Sequence, residues 1–141
     1  MLYKYSITMK YYFIIISLFL IGCNTNSNSK SDPTSSTASA TYNNIDVATF
    51  NQGLKGENSV VIDVRTPQEI AGGKIENAVE LDYYDKEFAS KIKALDPDKN
   101  YYLYCKAGTR SAKAAEIMIE NGFKNVHNLK GGYTDWKKDS K

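Results

Sequence analysis

The sequence has only two cysteines, Cys23 and Cys105, and one histidine, His127. That is too little for a disulfide framework, which needs several pairs in a small, loop-rich chain. It is also too little for a metal cluster, because spaced Cys and His ligands are missing. No cofactor is called for. Strong charge of either sign is absent too. The formal net charge is +2, and without Lys4 and Lys10, which lie in a leader argued below to be removed, 16 basic residues face 16 acidic ones. No basic stripe remains to hold a nucleic acid. Nor is there a long apolar run: Tyr11 to Ile21 is about eleven residues, too short to span ~30 Å of hydrocarbon. No internal repeat is visible.

What is present allows one folded domain. The chain has 141 residues, 42% of them hydrophobic and 24% charged, enough for a single core. Met1 to Lys10 carries two lysines and no acid, and the short apolar run follows it. That order reads as a secretory leader. Leu20-Ile21-Gly22-Cys23 resembles the lipobox of bacterial lipoproteins. The resemblance implies cleavage of a signal peptide, residues 1–22, and lipidation of Cys23. Several acyl chains would anchor the chain stably to a membrane. A plain secretion signal or an uncleaved short anchor is the alternative. Asn24 stands where an Asp would resemble an inner-membrane retention signal. The expectation is therefore a lipid-anchored cell-envelope protein, at the outer membrane or on the periplasmic side. Residues 23–42 are rich in Ser, Thr and Asn and nearly free of large apolar groups. They cannot bury enough surface to offset ordering, so they read as a flexible tether.

The domain, residues 43–141, alternates strand-like and helix-like segments. Ile45 to Phe50 reads as a short helix capped by Asn43 or Asn44. Ser59 to Asp63 is a β-branched run, a buried strand. Thr66-Pro67-Gln68-Glu69 is a helix start with a capping box, closed by Gly72-Gly73. Ala78 to Leu81 is a second strand, and Asp85 to Leu95 has helical apolar spacing. Tyr101 to Tyr104 is a strand, Ser111 to Asn121 a helix with Gly122 just past its end. Asn125 to Leu129 is a strand, and Tyr133 to Lys138 a last helix after Gly131-Gly132. Such alternation predicts an α/β fold: an open, mainly parallel sheet with helices on both faces. Ligands in such folds bind outside the carboxyl ends of the strands. Asp63 and Cys105 each end a strand.

The chemistry centres on Cys105-Lys106-Ala107-Gly108-Thr109-Arg110-Ser111. A thiol between a strand end and a helix N-terminus meets converging backbone N–H groups, which stabilise an anion. The thiolate is the nucleophile, and nearby cations lower its pKa. Lys106 and Arg110 supply cations, and Gly108 supplies freedom to adopt positive φ. Lys106 reads equally as a guide for an anionic substrate or as an exposed lysine. Thr109 could offer its hydroxyl or fill the turn. Arg110 opposes the helix dipole, so it should satisfy either the anion or an acid such as Asp63. Asp63 and Arg65 could order the loop as a structural pair or touch substrate. Glu69 is first a helix cap, Tyr133 and Trp136 are core or rim packing, and His127 carries no expected catalytic role.

Three motifs, in order over about 95 residues, resemble a single-domain rhodanese, a sulfurtransferase. Asp63-Val64-Arg65 with Glu69 and Gly73-Lys74-Ile75-Glu76-Asn77-Ala78 resembles that family's first block. The Cys105–Ser111 stretch resembles its C-x-x-G-x-R-S loop, and Gly131-Gly132-Tyr133-Thr134-Asp135-Trp136 its closing G-G-x-x-x-W. Lys74 stands where the family usually has His, and Ile70 where an aromatic is common. The resemblance implies a ping-pong reaction. The Cys105 thiolate takes sulfane sulfur from a donor such as thiosulfate or polysulfide and becomes a persulfide. Cyanide or another thiol then removes it. The amides of Lys106, Ala107, Gly108, Thr109 and Arg110 would cradle the persulfide, with Asp63 and Arg65 supporting the loop. A monomer is the default expectation.

Three alternatives compete. A phosphatase or arsenate reductase of the same fold resembles C-x5-R and needs one more residue to cup a tetrahedral oxyanion; here four residues separate Cys105 from Arg110. A thiol-disulfide oxidoreductase needs a resolving cysteine, and Cys23 is expected to be lipidated. A non-catalytic module of rhodanese fold would be signalled by loss of the cysteine, which is present.

Overall fold

The computed structural model describes residues 41–139. The expected signal peptide, Cys23 and the tether up to residue 40 lie outside them. Ten elements follow in chain order: β1 (Asn43–Ile45), α1 (Val47–Gly53), β2 (Ser59–Asp63), α2 (Pro67–Ile70) and β3 (Val79–Glu80), then α3 (Phe88–Lys93), β4 (Asn100–Tyr104), α4 (Thr109–Glu120), β5 (Asn125–Leu129) and α5 (Gly132–Asp139). The strands form one five-stranded sheet in the order β1-β5-β4-β2-β3. All four pairings are parallel.

Side chains of a strand alternate between faces, and the core splits accordingly. Tyr101, Leu103 and Cys105 follow β4 into one cluster with Ile62, where α3 contributes Phe88 and Ile92 and α4 contributes Ala114, Ala115 and Met118. Tyr104 and Val61 enter the opposite cluster, where Val47 and Phe50 of α1 pack, flanked by Tyr102 and by Tyr133 and Trp136 of α5. Helices therefore cover both faces, as the alternation predicts. The chain leaves β2 toward β3 on one side and β4 toward β5 on the other. That reversal opens a crevice at the carboxyl ends of β2 and β4, where parallel α/β folds place ligands. Asp63 and Cys105 stand there.

Several boundaries differ from the expected ones. The helix expected over 45–50 begins only at Val47. Asp46, not Asn43 or Asn44, caps it, accepting from Thr49 N at 2.8 Å. Asn43 to Ile45 instead pair with His127 to Leu129 of β5. α4 starts two residues before Ser111, with Gly108 as N-cap at φ 90°. α3 is shorter than the apolar spacing implies, because Asp85 forms a turn, accepting from Glu87 N at 2.9 Å and from Phe88 N through its carbonyl at 3.0 Å. The capping box at α2 forms as expected: Thr66 Oγ1 accepts from Glu69 N at 3.4 Å and Glu69 Oε2 from Thr66 N at 3.0 Å. Lys74 pairs with Glu80 and donates to Ala78 O at 3.3 Å, which ties down the segment entering β3.

Candidate active site

β4 drives Cys105 into the crevice because Leu103 and Tyr104, fully buried, fix the end of the strand. The thiol is free and only 2% of the residue is exposed. The chain then turns back over the sulfur. Gly108 N donates to Cys105 Sγ at 3.1 Å. Gly108 needs its φ of 90°, and an added Cβ would meet Leu129 O at 3.0 Å. Burial alone would raise the thiol's pKa. Hydrogen bonds from the Ser111 hydroxyl and from backbone amides of Ser111, Ala107 and Arg110 outweigh it, so the pKa lies below that of an ordinary thiol. The one hydroxyl proton of Ser111 has two acceptors in reach: it donates to Gly108 O at 3.1 Å in this arrangement, and turned toward the sulfur it stabilises the thiolate. Thus, of the expected loop amides, those of Ala107, Gly108 and Arg110 bear on the sulfur, joined by that of Ser111.

Asp63 and Arg65 form a fork at the end of β2. Arg65 donates to Asp63 through Nε at 2.9 and 3.0 Å and through one terminal nitrogen at 2.6 Å. Asp63 is fully buried and Arg65 is 3% exposed. Arg65 also donates to Gly73 O at 2.8 Å, and its guanidinium lies 4.1 Å from the centre of the Tyr133 ring. A buried charge is tolerable when paired and hydrogen-bonded in this way. Of the two readings open for the pair, this geometry is that of a structural tie.

Arg110 does not reach for Asp63. It makes a two-pronged bond to Glu69, at 2.8 Å to Oε2 and 2.6 Å to Oε1. The Arg110 guanidinium holds the Glu69 carboxyl down to about 2. The acid that satisfies Arg110 is thus the helix cap itself, which serves two elements at once. Tyr84, 66% exposed, lies with its ring centre 5.6 Å from the same guanidinium. Neither Glu69's second role nor Tyr84 stood out in the sequence; the only signal was Glu69's fixed place behind Asp63-Val64-Arg65.

The start of α5 is sewn to the loop. Tyr133 N donates to Cys105 O at 2.8 Å, and Thr134 donates to Lys106 O through N at 3.1 Å and Oγ1 at 2.8 Å. Lys106 and Thr109 are exposed. His127 stacks on Tyr102 with ring centres 4.7 Å apart, on the face opposite the Cys105 cluster. Among the described residues no group of His, Cys, Asp or Glu is arranged to hold a metal ion.

The profile described as Rhodanese-like domain matches residues 46–139. The chain belongs to this family. The curated relatives include a tRNA uridine(34) hydroxylase of Yersinia pestis, 33% identical over 95 residues. That match takes in 64% of the chain but 27% of the relative, so the chain spans about a quarter of the length of the curated relatives it matches. Among solved structures, a rhodanese-related protein from Thermoplasma volcanium is 33% identical with a TM-score of 0.61, covering 70% of the chain and 93% of that protein. A rhodanese-like domain protein from Staphylococcus aureus is 30% identical with a TM-score of 0.58, covering 67% and 90%. The five-stranded parallel sheet with helices agrees with these rhodanese-like folds.

Proposed function

We propose that this rhodanese-like domain is a sulfurtransferase. It moves sulfane sulfur from thiosulfate or polysulfide to cyanide or a thiol through a persulfide on Cys105. The observation that carries this reading is the buried thiol with its lowered pKa, held at a helix N-terminus with Gly108 N donating to Sγ at 3.1 Å. A thiolate is the species that attacks a sulfur donor. An outer sulfur bearing negative charge needs preorganised donors more than a general base, and the loop amides supply them. Four residues between Cys105 and Arg110 favour a sulfur ligand over the tetrahedral oxyanion of a phosphatase or arsenate reductase. The hydroxylation named for the Yersinia relatives belongs to proteins of which the matched stretch is only 27%.

The full chain, incubated with thiosulfate or a polysulfide, should gain one sulfur atom, about 32 Da by intact mass, through persulfidation. Cyanide should remove it, and Cys105→Ser should never acquire it. No gain from either donor would sink the proposal. Hydrolysis of an aryl phosphate without sulfur uptake would put the chain in the oxyanion class instead.

The domain is further proposed to work in the cell envelope, anchored by lipid on Cys23 after removal of residues 1–22, with 23–42 as tether. The lipobox-like Leu20-Ile21-Gly22-Cys23 supports this. Cys23→Ser should move the chain from the membrane fraction to the soluble fraction. Membrane association that survives the substitution would rule lipidation out as the anchor.

A further inference from the structure

The chain's one histidine takes no part in the chemistry at Cys105. His127 of β5 stands between Tyr102 of β4 and Asn43 of β1 in one cross-strand row. Its ring stacks on Tyr102 with centres 4.7 Å apart and planes 15° from parallel, close to the ~4.8 Å spacing of neighbouring strands. Tyr102 is fixed in that pose. Phe50 packs edge-on against its ring at 5.7 Å. Its hydroxyl end lies so close to α1 that a Cβ on Gly53 would collide with Tyr102 Cε1, Cζ and the phenol oxygen. The row of rings stops at β1, because the next residue in it, Asn43, is exposed and carries no ring.

A cavity of about 480 Å³ opens at this place. Tyr102, His127 and Ile45 line it from the sheet, and Ala48, Gln52 and Gly53 from α1. Its size falls in the ~300–1,000 Å³ range of sites for organic small molecules. None of its lining residues is an acid, a lysine or an arginine. Burial lowers the His127 pKa below its ordinary 6.5, so at pH 7 the imidazole is neutral, with one N–H donor and one acceptor nitrogen. Neither those nitrogens nor the Tyr102 hydroxyl has a hydrogen-bond partner among the described residues. Gln52 Oε1 accepts from Lys55 Nζ at 3.4 Å, and the Gln52 amide keeps its own donors for another partner.

We propose that this cavity binds a small, uncharged, planar heteroaromatic molecule, stacked on His127 as the third ring of the row. A flat ring continues the stack at the spacing already set by Tyr102 and His127, and such offset stacking adds to the apolar area it buries. A saturated ring is too thick to lie flat there. A charged ligand would give up water without meeting an opposite charge in the lining. Heteroatoms at the ring's edge answer the imidazole nitrogens and the Gln52 amide. The inference is independent of the sulfurtransferase reading, since His127 and the Cys105 cluster lie on opposite faces of the sheet.

The test is a titration of the full chain at pH 7 followed by proton NMR, where the imidazole signal is unambiguous because the chain has a single histidine. Three probes of similar size are compared. Nicotinamide is planar and neutral, nicotinate is the same ring with a carboxylate, and cyclohexanecarboxamide is neutral but not planar. Nicotinamide should move the His127 signal upfield and saturably, with a Kd of about 1–10 mM, as befits a ligand of so few atoms. The other two should bind at least about tenfold more weakly. Ala48→Trp fills the cavity from an exposed position on α1 and should weaken nicotinamide at least about tenfold. Lys113→Trp, exposed on α4, should leave it unchanged. A signal that nicotinamide does not move would overturn the proposal. So would equal responses to the three probes, or a response as strong in Ala48→Trp as in Lys113→Trp. The probe comparison needs no variant, so it decides even where the tryptophan disturbs α1.

Discussion

Glu69 carries more than its place in a capping box suggests. Its carboxylate accepts from Thr66 N, from the Thr66 hydroxyl and from both prongs of Arg110. A cation at the start of α4 opposes that helix's dipole, and the two-pronged carboxylate contact is what makes it tolerable there. Glu69 titrates at about 2 in the fold against a usual 4.5, chiefly because of the Arg110 hydrogen bonds. A depressed carboxyl pKa gives stability that is fully present above the unfolded value and lost as pH falls toward the folded one. The pair should therefore lose its contribution between pH 4.5 and about 2. Glu69→Gln should cost about 1–2 kcal/mol at pH 7, with allowance for the partial exposure of both side chains. The gap to wild type should close as the pH falls through that window. Urea denaturation of both proteins from pH 7 to pH 3 measures it, and a gap that stays constant would show that Glu69 acts only as a neutral hydrogen-bonding cap.

At the scale of elements, the junction of α5 with the Cys105 loop is a tight backbone-to-backbone fit. Gly132 has φ 58°, and a Cβ there would overlap Cys105 O and crowd Ala107 N at 2.8 Å. Gly122, past the end of α4, has φ 88° but nothing within 4 Å of an added Cβ. The two glycines separate backbone strain from collision. Gly122→Ala should cost about 1 kcal/mol, the price of left-handed backbone alone. Gly132→Ala should cost about 2–4 kcal/mol, since loop backbone must also move, and sulfur loading of Cys105 should fall with it. Thermal unfolding and intact mass of the two variants read both effects; equal costs would mean that the loop yields freely. The same contrast explains what the sequence made legible. The α2 capping box, the β2, β4 and β5 runs and the Cys105 loop are built from neighbours in the chain, so residue types and spacing reveal them. β1 is three residues long, mostly exposed, and exists only because β5 offers an edge some 84 residues later. Glu69 and Arg110 are 41 residues apart, and capping already accounted for the acid. Periodicity carries no trace of either partnership.

For the molecule as a whole, the sheet order sets where stability and chemistry meet. β4 is central, paired along its length with β2 on one side and with β5 on the other. Both core clusters close over it, Tyr101 and Leu103 on one face and Tyr104 on the other. The edges are weak by comparison: β3 has two residues, both exposed, and β1 has three. Opening β3 breaks few bonds and uncovers little apolar surface. Opening β4 tears the sheet in half and empties both clusters. Local openings range from near zero up to the global free energy, which for a domain of this size is about 5–10 kcal/mol. The amides of Tyr102 to Tyr104 should therefore exchange with solvent only through global unfolding, at least about a thousandfold more slowly than those of Val79 and Glu80, allowing for intrinsic rates. Hydrogen exchange followed by mass spectrometry of peptides spanning β3 and β4 would measure this. Comparable protection would mean that the strand bearing the nucleophile opens locally, and the loop over Cys105 would then be a mobile element. Strong protection of β4 means that Cys105 projects from the most rigid part of the molecule. The amides around its sulfur are then fixed before any donor arrives, as stabilisation of a charged sulfur by preorganised dipoles requires.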